Sequence, residues 1–470
     1  MDPHAKLTRN RREFLTDAFC GFGSLAFAAM LAEERARAGY VNPLAPRAPH
    51  MPAKAKSVIV LFMAGGPSHL ETFDPKPLLN ELNGQPVPKS FGSAKRQFIK
   101  GEPRLLGTKR TFKRYGKSGM WVSDLLPHTA TCVDDLAVIR SCQSDAFIHS
   151  AAQYQFFTGR IIPGFPSMGS WSLYGLGSES ESLPGYVVMP EPSGTIEAGQ
   201  PVYANGFLPS IYQPNVFRGG RKPVLNLDMP AGISIEQRTR TLNLVHELDG
   251  ARMAPGDDEF AARLNTYDLA FKMQTEAPAV FDISREPQSI QELYGVGDVA
   301  TDDFGRRCLL ARRLVEKGVR FVVLVSGGPA VSQWDAHDDI EENHLRMARK
   351  TDKPIAALVK DLKQRGLLDS TLVVWGGEFG RTPEAQGKGR DHNNTGYTMW
   401  MAGGGVKGGT VAGATDEIGL NAVEEPHHLR DVHTTVLNQL GLEQNALSYL
   451  HQGRRERLTE IQGQVIRSIL

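Results

Sequence analysis

Continuous apolar runs of strand length occur at several places along the chain. The first is Ser57–Met63, and it is followed by the glycine-containing loop Ala64–His69. Runs of the same kind cover Leu136–Arg140, Tyr186–Met189, Val319–Val325 and Ser370–Trp375. A strand that is apolar on both faces is typical of a parallel sheet, because helices cover such a sheet on each side.

Amphipathic patterns with the period of an α-helix precede the last two of these strands. In Phe304–Lys317 and in Asn343–Gln364, apolar side chains recur at the spacing of one helix face. The alternation of helices with buried strands predicts a mostly parallel sheet with helices on both faces. We therefore predict an α/β fold.

The stretch from about residue 190 to 300 has a different pattern. Its first part is rich in Gly, Pro and Asn, whereas Ile233–Thr275 has a helical pattern with interleaved charges. We predict that this loop-rich stretch is an insertion within a single domain. Nearer the C-terminus, Arg430–Leu440 and Arg454–Leu470 are predicted to be helices.

The N-terminus has the features of an export signal. Arg11 and Arg12 precede a moderately apolar run, Ala18–Ala32, which is too short for a confident transmembrane span. An A-x-A cleavage pattern follows at Ala36–Ala38. We predict a twin-arginine (Tat) signal at residues 1–38, a linker at 39–55 and one domain at 56–470, with export by the Tat machinery to the periplasm or beyond. An ordinary amphipathic helix is the alternative interpretation.

The composition limits the classes of partner. Of the 470 residues, 53 are Lys or Arg and 52 are Asp or Glu, so the charge gives no basis for binding nucleic acid or an anionic membrane. We expect no nucleic-acid partner and no stable membrane span in the mature chain. Cys132, Cys142 and Cys308 lack a metal-binding spacing, so we expect buried thiols with at most one disulfide.

Polar side chains gather where the predicted strands end. Three groups follow three strands: Ser68 and His69; Asp335 and His337; and Glu378, Asp391 and His392. The carboxyl ends of parallel strands meet at one edge of a sheet, where ligands bind. Carboxylates and imidazoles at such an edge suit a divalent cation. We therefore predict a site for zinc, calcium or magnesium with these ligands: Asp335, His337, Glu378, His392, His69 and Asp391.

Each group also has an interpretation without a metal. The Asp-x-His pattern at Asp335 is common by chance, and Glu378 is able to pair with Arg381 or cap a helix. Asp391 and His392 are able to form a hydrogen-bonded loop pair. The repetition of such groups at successive strand ends favours the metal site over these separate interpretations.

Two arginines are candidates for binding an anion. Arg160 and Arg381 carry guanidinium groups that match the geometry of phosphate or sulfate, although a structural salt bridge is the alternative for each. Asp431 and His433 lie near the start of a predicted helix, and we expect a structural role for them, with Asp431 as a cap.

Long stretches of the chain are similar to a known bacterial family. They are GGPSHLETFDPKP (Gly65–Pro77), LARRLVEKGVRFV (Leu310–Val322), WDAH (Trp334–His337), GLLDSTLVVWGGEFGRTP (Gly366–Pro383), GRDHN (Gly389–Asn393) and AGGGVKGGTVAGATDEIG (Ala402–Gly419). Through them the chain resembles the sulfatase-like, Tat-exported proteins with domain of unknown function 1501, within the alkaline phosphatase/sulfatase superfamily. The resemblance covers Lys56–Leu470 and implies an alkaline phosphatase-like α/β fold.

The same resemblance assigns positions to several residues. The run LLDSTLVVWGGEFG is similar to a sulfatase strand that ends in Ser-Asp-His-Gly, so Glu378 stands at a metal-binding aspartate and Phe379 at an active-site histidine. Thr158–Arg160 matches the end of the sulfatase nucleophile segment, which places His149 at the position of the Cys or Ser nucleophile. Formylglycine is not made at a histidine, so the resemblance argues against the usual sulfatase mechanism.

Two hypotheses of function follow. The first is an exported, metal-dependent hydrolase of phosphate or sulfate esters, with a small molecule or polysaccharide as substrate. In it, Ser68 or a water attacks, His149 acts as general acid or base or as phosphoryl acceptor, and Arg160 or Arg381 holds the anion. The second is a non-catalytic protein that recognises a sulfated glycan or an envelope partner. A purely structural role is disfavoured, because buried polar groups without partners are costly.

Overall fold

The computed structural model describes residues 42, 44–92, 98–99, 101–250, 258–328 and 333–470. The chain divides into two units, Met1–Ala45 and Pro46–Leu470, and the second unit contains the elements named below. The predicted Tat signal at residues 1–38 lies outside the described residues, as does part of the predicted linker.

The strands are short outside the central sheet. In chain order they are β1 Ser57–Met63, β2 Phe112–Tyr115, β3 Met120–Ser123, β4 Leu136–Gln143, β5 Tyr186–Met189, β6 Asn215–Val216, β7 Phe321–Ser326, β8 Thr371–Gly376, β9 Gly380–Gln386, β10 Gly389–Asn393, β11 Tyr397–Ala402, β12 Thr410–Ala412, β13 Ala414–Thr415, β14 Ala422–Glu424, β15 His427–His428, β16 Tyr449–His451 and β17 Arg454–Glu456.

The helices differ widely in length. In chain order they are α1 His69–Thr72, α2 Pro77–Glu81, α3 His149–Thr158, α4 Met168–Leu176, α5 Ile235–Gly250, α6 Asp258–Glu276, α7 Pro278–Phe281, α8 Gln288–Leu293, α9 Asp302–Glu316, α10 Ile340–Gln364 and α11 Leu429–Gln439.

Within the described part of the chain, the central sheet has nine strands in the order β12-β4-β11-β8-β1-β7-β5-β6, with β15 as a further neighbour of β4. Strand β1 is parallel to β7 on one side and to β8 on the other. Strand β11 is antiparallel to both β8 and β4, so β4 runs in the direction of β1. The sheet is therefore mostly parallel, which confirms the predicted α/β fold.

Neighbouring side chains of β1 belong to two different layers of the core. Leu61 lies in an apolar cluster with Leu309 of α9 and Leu358 of α10. The next residue, Phe62, contacts Phe156 of α3, with ring centroids 4.7 Å apart. Because successive side chains of a strand point to opposite faces, helices cover this sheet on both sides, as predicted.

The predicted elements are present with small shifts at their ends. Strands β1 and β5 have the predicted bounds, and the ends of β4, β7 and β8 lie within three residues of the predicted ones. Helices α9, α10 and α11 match their predictions equally well, and α5 and α6 occupy the stretch predicted to be helical. The assignment of residues 190–300 as an insertion stays a prediction.

The predicted helix at Arg454–Leu470 is wrong. This stretch contains β17, extended chain and a short 3-10 turn. The amide of Gln464 donates to Asp431 over 2.7 Å, and the amide of Ile466 donates to the hydroxyl of Thr435 over 3.0 Å. Because side chains of α11 accept from these amides, the tail forms no helical ladder of its own.

The three cysteines in the described part of the chain are buried and free. They are Cys132, Cys142 and Cys308, and their state confirms the expectation of buried thiols. Burial raises the pKa of the Cys132 thiol to about 12. Among the residues that the structure describes, no helix combines the length and apolarity needed to cross a membrane.

Candidate metal centre

Four side chains from separate parts of the chain converge at the carboxyl-terminal edge of the central sheet. His149 is the first residue of α3, which follows β4; Asp335 and His337 lie between β7 and α10; and His392 lies on β10. One ligand atom from each residue lies within 4.8 Å of the others. We call His149, Asp335, His337 and His392 the quartet.

The loop after β1 approaches the quartet closely because it contains glycine. Gly65 has a φ of +99°, which side chains rarely adopt, and a Cβ there would lie 2.4 Å from the backbone nitrogen of Asp335. A side chain at this position would push the loop away from Asp335. The glycine therefore allows the β1 loop and the β7 loop to pack together at the site.

Each imidazole of the quartet has its Nδ1 atom hydrogen-bonded to an acceptor. The acceptors are Glu378 Oε1 for His149 (2.8 Å), the Phe147 carbonyl for His392 (2.8 Å) and the Gln386 amide oxygen for His337. A neutral imidazole that is protonated on Nδ1 carries its lone pair on Nε2. In this tautomer the three Nε2 atoms would present lone pairs to a metal ion, which at His149 would first have to displace the proton that its raised pKa retains.

Glu378 lies behind His149 and is fully buried. Its carboxylate accepts from the amide nitrogen of Gly65 at 3.0 and 3.1 Å and from the side chain of Gln153 at 3.1 Å, in addition to His149. Burial disfavours the ionised form, but the hydrogen bond and charge of His149 outweigh it, so the pKa of Glu378 is lowered. These donors engage both oxygens, so the structure places Glu378 beside the quartet and not within it.

His149 carries the strongest indication that the site takes a cation. Burial disfavours a charged imidazole, but the carboxylates of Asp335 and Glu378 outweigh it and raise the pKa of His149 to about 9. Its Nε2 atom is buried, lies 3.5 Å from Asp335 and has no hydrogen-bond partner among the described residues. A buried polar atom without a partner is costly, and a metal ion among the four donors would satisfy it.

Asp335 lies at the centre of the quartet. Its Oδ1 atom is 3.0 Å from Nε2 of His337 and 3.5 Å from Nε2 of His392, and it accepts a hydrogen bond from Arg381. Burial disfavours the carboxylate, but Arg381 and the imidazoles hold the pKa of Asp335 well below its usual range. Asp335 is therefore ionised, as a metal ligand must be.

Arg381 is buried, and each of its three guanidinium nitrogens donates a hydrogen bond. Besides Asp335, it donates to the carbonyls of Gly65, Gly66 and Arg390. The guanidinium thus fixes the β1 loop against Asp335. Its role as an anion ligand stays a prediction.

Aromatic rings surround the imidazoles. Phe379 stacks on His392 with ring centroids 4.4 Å apart, and Phe98 meets the ring of His337 edge-on at 4.7 Å. Burial among these groups lowers the pKa of His392 to about 4. His392 is therefore neutral at ordinary pH, which is the form that binds a metal.

Two other predicted metal ligands lie outside the quartet. Nε2 of His69 donates to the carbonyl of Gly419 over 2.8 Å. Asp391 accepts from the amides of Phe98 and His392, at 2.9 and 2.8 Å. The structure thus joins three of the six predicted ligands to His149, which the sequence placed at a nucleophile position.

Two predicted catalytic residues also lie apart from the quartet. The amide of Ser68 donates to Nε2 of His344 over 2.9 Å, and the Ser68 hydroxyl is buried. Arg160 pairs with Glu456 at 3.5 Å and with Glu460. The catalytic roles assigned to Ser68 and Arg160 stay predictions, since the contacts described for these two residues are with His344, Glu456 and Glu460 and include no member of the quartet.

A cleft with a volume of about 680 Å³ opens beside the quartet. Asp335 and His337 line it, together with Glu197, Glu342 and Arg346 among others. A larger cavity of about 1080 Å³ is lined by residues between 218 and 310 and includes no member of the quartet. The smaller cleft therefore offers a ligand access to Asp335 and His337.

Three residues that position the site were missed by sequence reasoning. Gln153 lies one turn after His149 on α3, and that spacing on one helix face was an available signal. Its amide oxygen accepts from the backbone nitrogen of Ala198 over 2.9 Å, which ties the loop of Glu197 to the helix. The sequence around Gln386 and Glu197 contains no pattern that points to the site, because only the folded chain brings these residues there.

Solved structures with a similar fold include three enzymes with low sequence identity. The lipoteichoic acid synthase LtaP from Listeria monocytogenes has 11% identity and a TM-score of 0.35, over 85% of this chain and 77% of that chain. The PsFucS1 sulfatase from Pseudoalteromonas sp. has 13% identity and a TM-score of 0.35, over 84% and 68%. The phosphonate monoester hydrolase SpPMH from Silicibacter pomeroyi has 13% identity and a TM-score of 0.29, over 73% and 71%. Similarity at this level assigns no function.

The sequence itself places the chain in a family. Comparison with curated proteins gives no match. A family model described as "Protein of unknown function (DUF1501)" matches residues 55–470. Because that match covers most of the sequence, this chain belongs to the DUF1501 family.

Proposed function

We propose that this chain is an exported, metal-dependent hydrolase of phosphate or sulfate esters, including esters on polysaccharides. The observation that carries the proposal is the convergence of three imidazoles and one carboxylate beside an open cleft. Three imidazoles and one carboxylate are donors that suit a divalent metal ion, and the carboxyl ends of parallel strands form the edge of the sheet where ligands bind.

The quartet would hold one divalent metal ion, and an ion able to take a fifth ligand would supply Lewis-acid polarisation of an ester oxygen. The neighbouring residues set the orientation of the quartet. Glu378 and Gln386 each accept from an imidazole Nδ1 and so fix its ring. Arg381 holds Asp335 against the β1 loop.

Glu197 is the group that we propose takes the proton of the attacking water. It lines the cleft with Asp335 and His337. Burial raises its pKa, His149 lowers it, and the charges of Glu378 and Asp335 raise it further. A carboxylate with a raised pKa is a better general base. As the water oxygen bonds to phosphorus or sulfur, one of its protons moves to Glu197. The bond from phosphorus or sulfur to the ester oxygen breaks, and the departing alkoxide takes a proton from solvent.

Water is favoured over Ser68 as the nucleophile in this proposal. The Ser68 hydroxyl is fully buried and has no hydrogen-bond partner among the described residues. The backbone amide of Ser68 donates to His344, which is buried as well and does not belong to the quartet. The proposal therefore includes no covalent intermediate on serine.

A second candidate function is non-catalytic binding of a sulfated glycan or an envelope partner. Four protein donors are able to complete the coordination of a tetrahedral ion, which favours a metal that stays closed to substrate. The same cleft would then recognise a partner without turnover.

Export through the Tat pathway, to the periplasm or beyond, is also part of the proposal. It is supported by Arg11 and Arg12 ahead of the apolar run. Fractionation of producing cells is expected to find the processed protein outside the cytoplasm, and the double change Arg11→Lys with Arg12→Lys is expected to retain it inside. Equal export of both proteins would contradict the assignment.

The test of hydrolysis uses p-nitrophenyl phosphate, bis(p-nitrophenyl) phosphate and p-nitrophenyl sulfate. Metal-loaded protein is expected to turn over at least one of them, to lose activity with chelator and to regain it with added metal. His337→Ala is expected to abolish turnover, whereas Glu236→Gln, at an exposed position on α5, is expected to leave it unchanged. If the metal-loaded protein turns over none of these esters, the hydrolase proposal is contradicted and the non-catalytic binding function is favoured.

A further inference from the structure

Four of the six separations within the quartet are close to those of ligands around one small ion, and all six donor separations are within 4.8 Å. Oδ1 of Asp335 lies 3.0 Å from His337 Nε2 and 3.5 Å from His149 Nε2 and His392 Nε2. The Nε2 atoms of His337 and His392 lie 3.0 Å apart. Bonds of about 2.0–2.1 Å in a tetrahedron give donor separations of about 3.3 Å. The measured distances fall on both sides of that value.

The types of donor distinguish between metals. Calcium and magnesium take mainly oxygen ligands, about six or more in number, whereas imidazoles suit zinc and its transition-metal neighbours. The quartet supplies three imidazoles and a single carboxylate. The nearest other carboxylate, Glu378, is engaged by Gly65, Gln153 and His149, so it adds no oxygen ligand.

We infer that the quartet is a four-coordinate site of the zinc class, in which His149 is a metal ligand and neither a nucleophile nor a proton shuttle. This inference rests on the metal centre of the proposed function and names the ion class that the centre takes. Glu378, Gln386 and the Phe147 carbonyl act as positioning groups. Each holds one imidazole with Nδ1 protonated, so that the lone pair of Nε2 faces the ion.

The position of His149 supports this assignment over a catalytic role. Its Nδ1 atom is engaged by Glu378, and its Nε2 atom is buried against Asp335. A nucleophile or proton shuttle needs a free ring nitrogen that faces the substrate. His149 has none, since it is not among the residues that line the cleft, whereas Asp335 and His337 are.

The test measures metal binding without any assay of turnover. Full-length mature protein is stripped with chelator and titrated separately with zinc, magnesium and calcium, with metal content read by elemental analysis. We expect one zinc per chain, undisturbed by an excess of magnesium or calcium. Cobalt loaded in place of zinc is expected to give the intense visible absorption of a four-coordinate ion.

Variants then test the residues. His149→Ala is expected to lose the tightly bound zinc, and Glu378→Gln and Gln386→Leu are expected to weaken zinc binding about 10–100-fold. His246→Gln is the control, because this histidine pairs with Asp268 on α6, outside the quartet. If His149→Ala fails to fold, His392→Gln replaces it, with folding checked by circular dichroism.

Specific outcomes would overturn the inference. They are preferential binding of calcium or magnesium, a cobalt spectrum of a six-coordinate ion, or undiminished zinc affinity in folded His149→Ala. Failure of the two proposals is distinguishable. Tight binding of zinc without ester turnover supports the zinc site and contradicts the hydrolase. Ester turnover that needs only calcium or magnesium supports the hydrolase and contradicts the zinc site.

Discussion

Nδ1 of His149 donates a hydrogen bond to Oε1 of Glu378 over 2.8 Å, and both side chains are buried. The contact joins the start of α3 to the end of β8, two parts of the chain that are 229 residues apart. It orients the imidazole toward Asp335 and engages the Glu378 carboxylate in a hydrogen bond outside the quartet. The predictions below start from this pair and the groups around it.

Removal of the Glu378 carboxylate is expected to destabilise the metal-free protein strongly. Glu378→Ala leaves His149 and the Gly65 amide without their buried partner, and breaking a buried charged pair costs about 3–5 kcal/mol. Urea unfolding in the presence of chelator measures the change in the free energy of unfolding.

The matched control for this change is Glu236→Ala. Glu236 forms an exposed pair with Arg240 on α5, and its side chain is 76% exposed. We expect a change below about 0.5 kcal/mol there. Equal free energies of unfolding for both variants would contradict the account of Glu378.

Gly65→Ala is expected to damage both stability and metal binding. Its positive φ alone costs about 1–2 kcal/mol for a residue with a Cβ. The added atom would also lie 2.4 Å from the backbone of Asp335, so the β7 loop must move. Thermal unfolding and zinc content are the measurements.

Gly84→Ala separates these two effects. Gly84 has a φ of +78°, but a Cβ there would meet nothing within 4 Å. Gly84→Ala should lower thermal stability only by the cost of the positive φ, and its zinc content should be unchanged. If Gly84→Ala and Gly65→Ala behave alike, close packing at Gly65 has no role in the site.

The stability of the protein is expected to fall as the pH is lowered from about 6.5 to 4, in part through His433. Burial lowers the pKa of His433 to about 4, and its Nε2 donates to the carbonyl of Phe156 over 2.7 Å. In the unfolded state this imidazole binds a proton near pH 6.5, whereas in the folded state it does so only near pH 4. The neutral, buried imidazole therefore contributes fully to the free energy of unfolding above about pH 6.5. That contribution is lost as the pH falls, by up to about 3 kcal/mol at pH 4.

Chemical unfolding at several pH values tests this dependence. His433→Gln should flatten the curve between pH 6.5 and 4, whereas His451→Gln, outside the core, should leave it unchanged. A His433→Gln curve that runs parallel to that of the wild type would show that this residue makes no such contribution.

The change Glu197→Gln is expected to lower kcat for ester hydrolysis by about 10²–10⁴-fold, because it removes the general base. Metal content should not change, since Glu197 is not a member of the quartet. Steady-state kinetics across pH, with elemental analysis of the same samples, checks both expectations.

Glu342→Gln is the control in the same cleft. It alters the charge of the lining without removing the proposed base, so kcat is expected to stay close to that of the wild type. A loss of the same size in Glu342→Gln would assign the effect to the charge of the cleft and not to proton transfer.

The fold was predictable because its signals are local. The apolar run of β1 and the amphipathic pattern of α10 each identify their element without knowledge of the rest of the chain. The prediction of a helix after Arg454 was wrong because the contacts that shape this stretch are not local. Its amides find acceptors on α11, and such long-range partners leave no periodic pattern in the sequence.

The site was predictable only in part, for a related reason. The positions of strand ends led to the prediction that Asp335, His337 and His392 lie close together, because the carboxyl ends of parallel strands meet at one edge, and the structure brings these three side chains together. The same reasoning also predicted His69 and Asp391 as ligands. In the structure, His69 donates to the carbonyl of Gly419 and Asp391 accepts from the amide of Phe98. The division between the members of the quartet and the residues that orient them depends on hydrogen bonds across long stretches of sequence.

The central claim is that His149, Asp335, His337 and His392 hold one metal ion, and its most direct measurement is anomalous X-ray scattering from crystals of the zinc-loaded protein. We predict one strong peak at the zinc absorption edge, about 2.0–2.2 Å from each of the four donor atoms. A map without a peak among these four side chains, or with the peak held by other residues, would contradict the account.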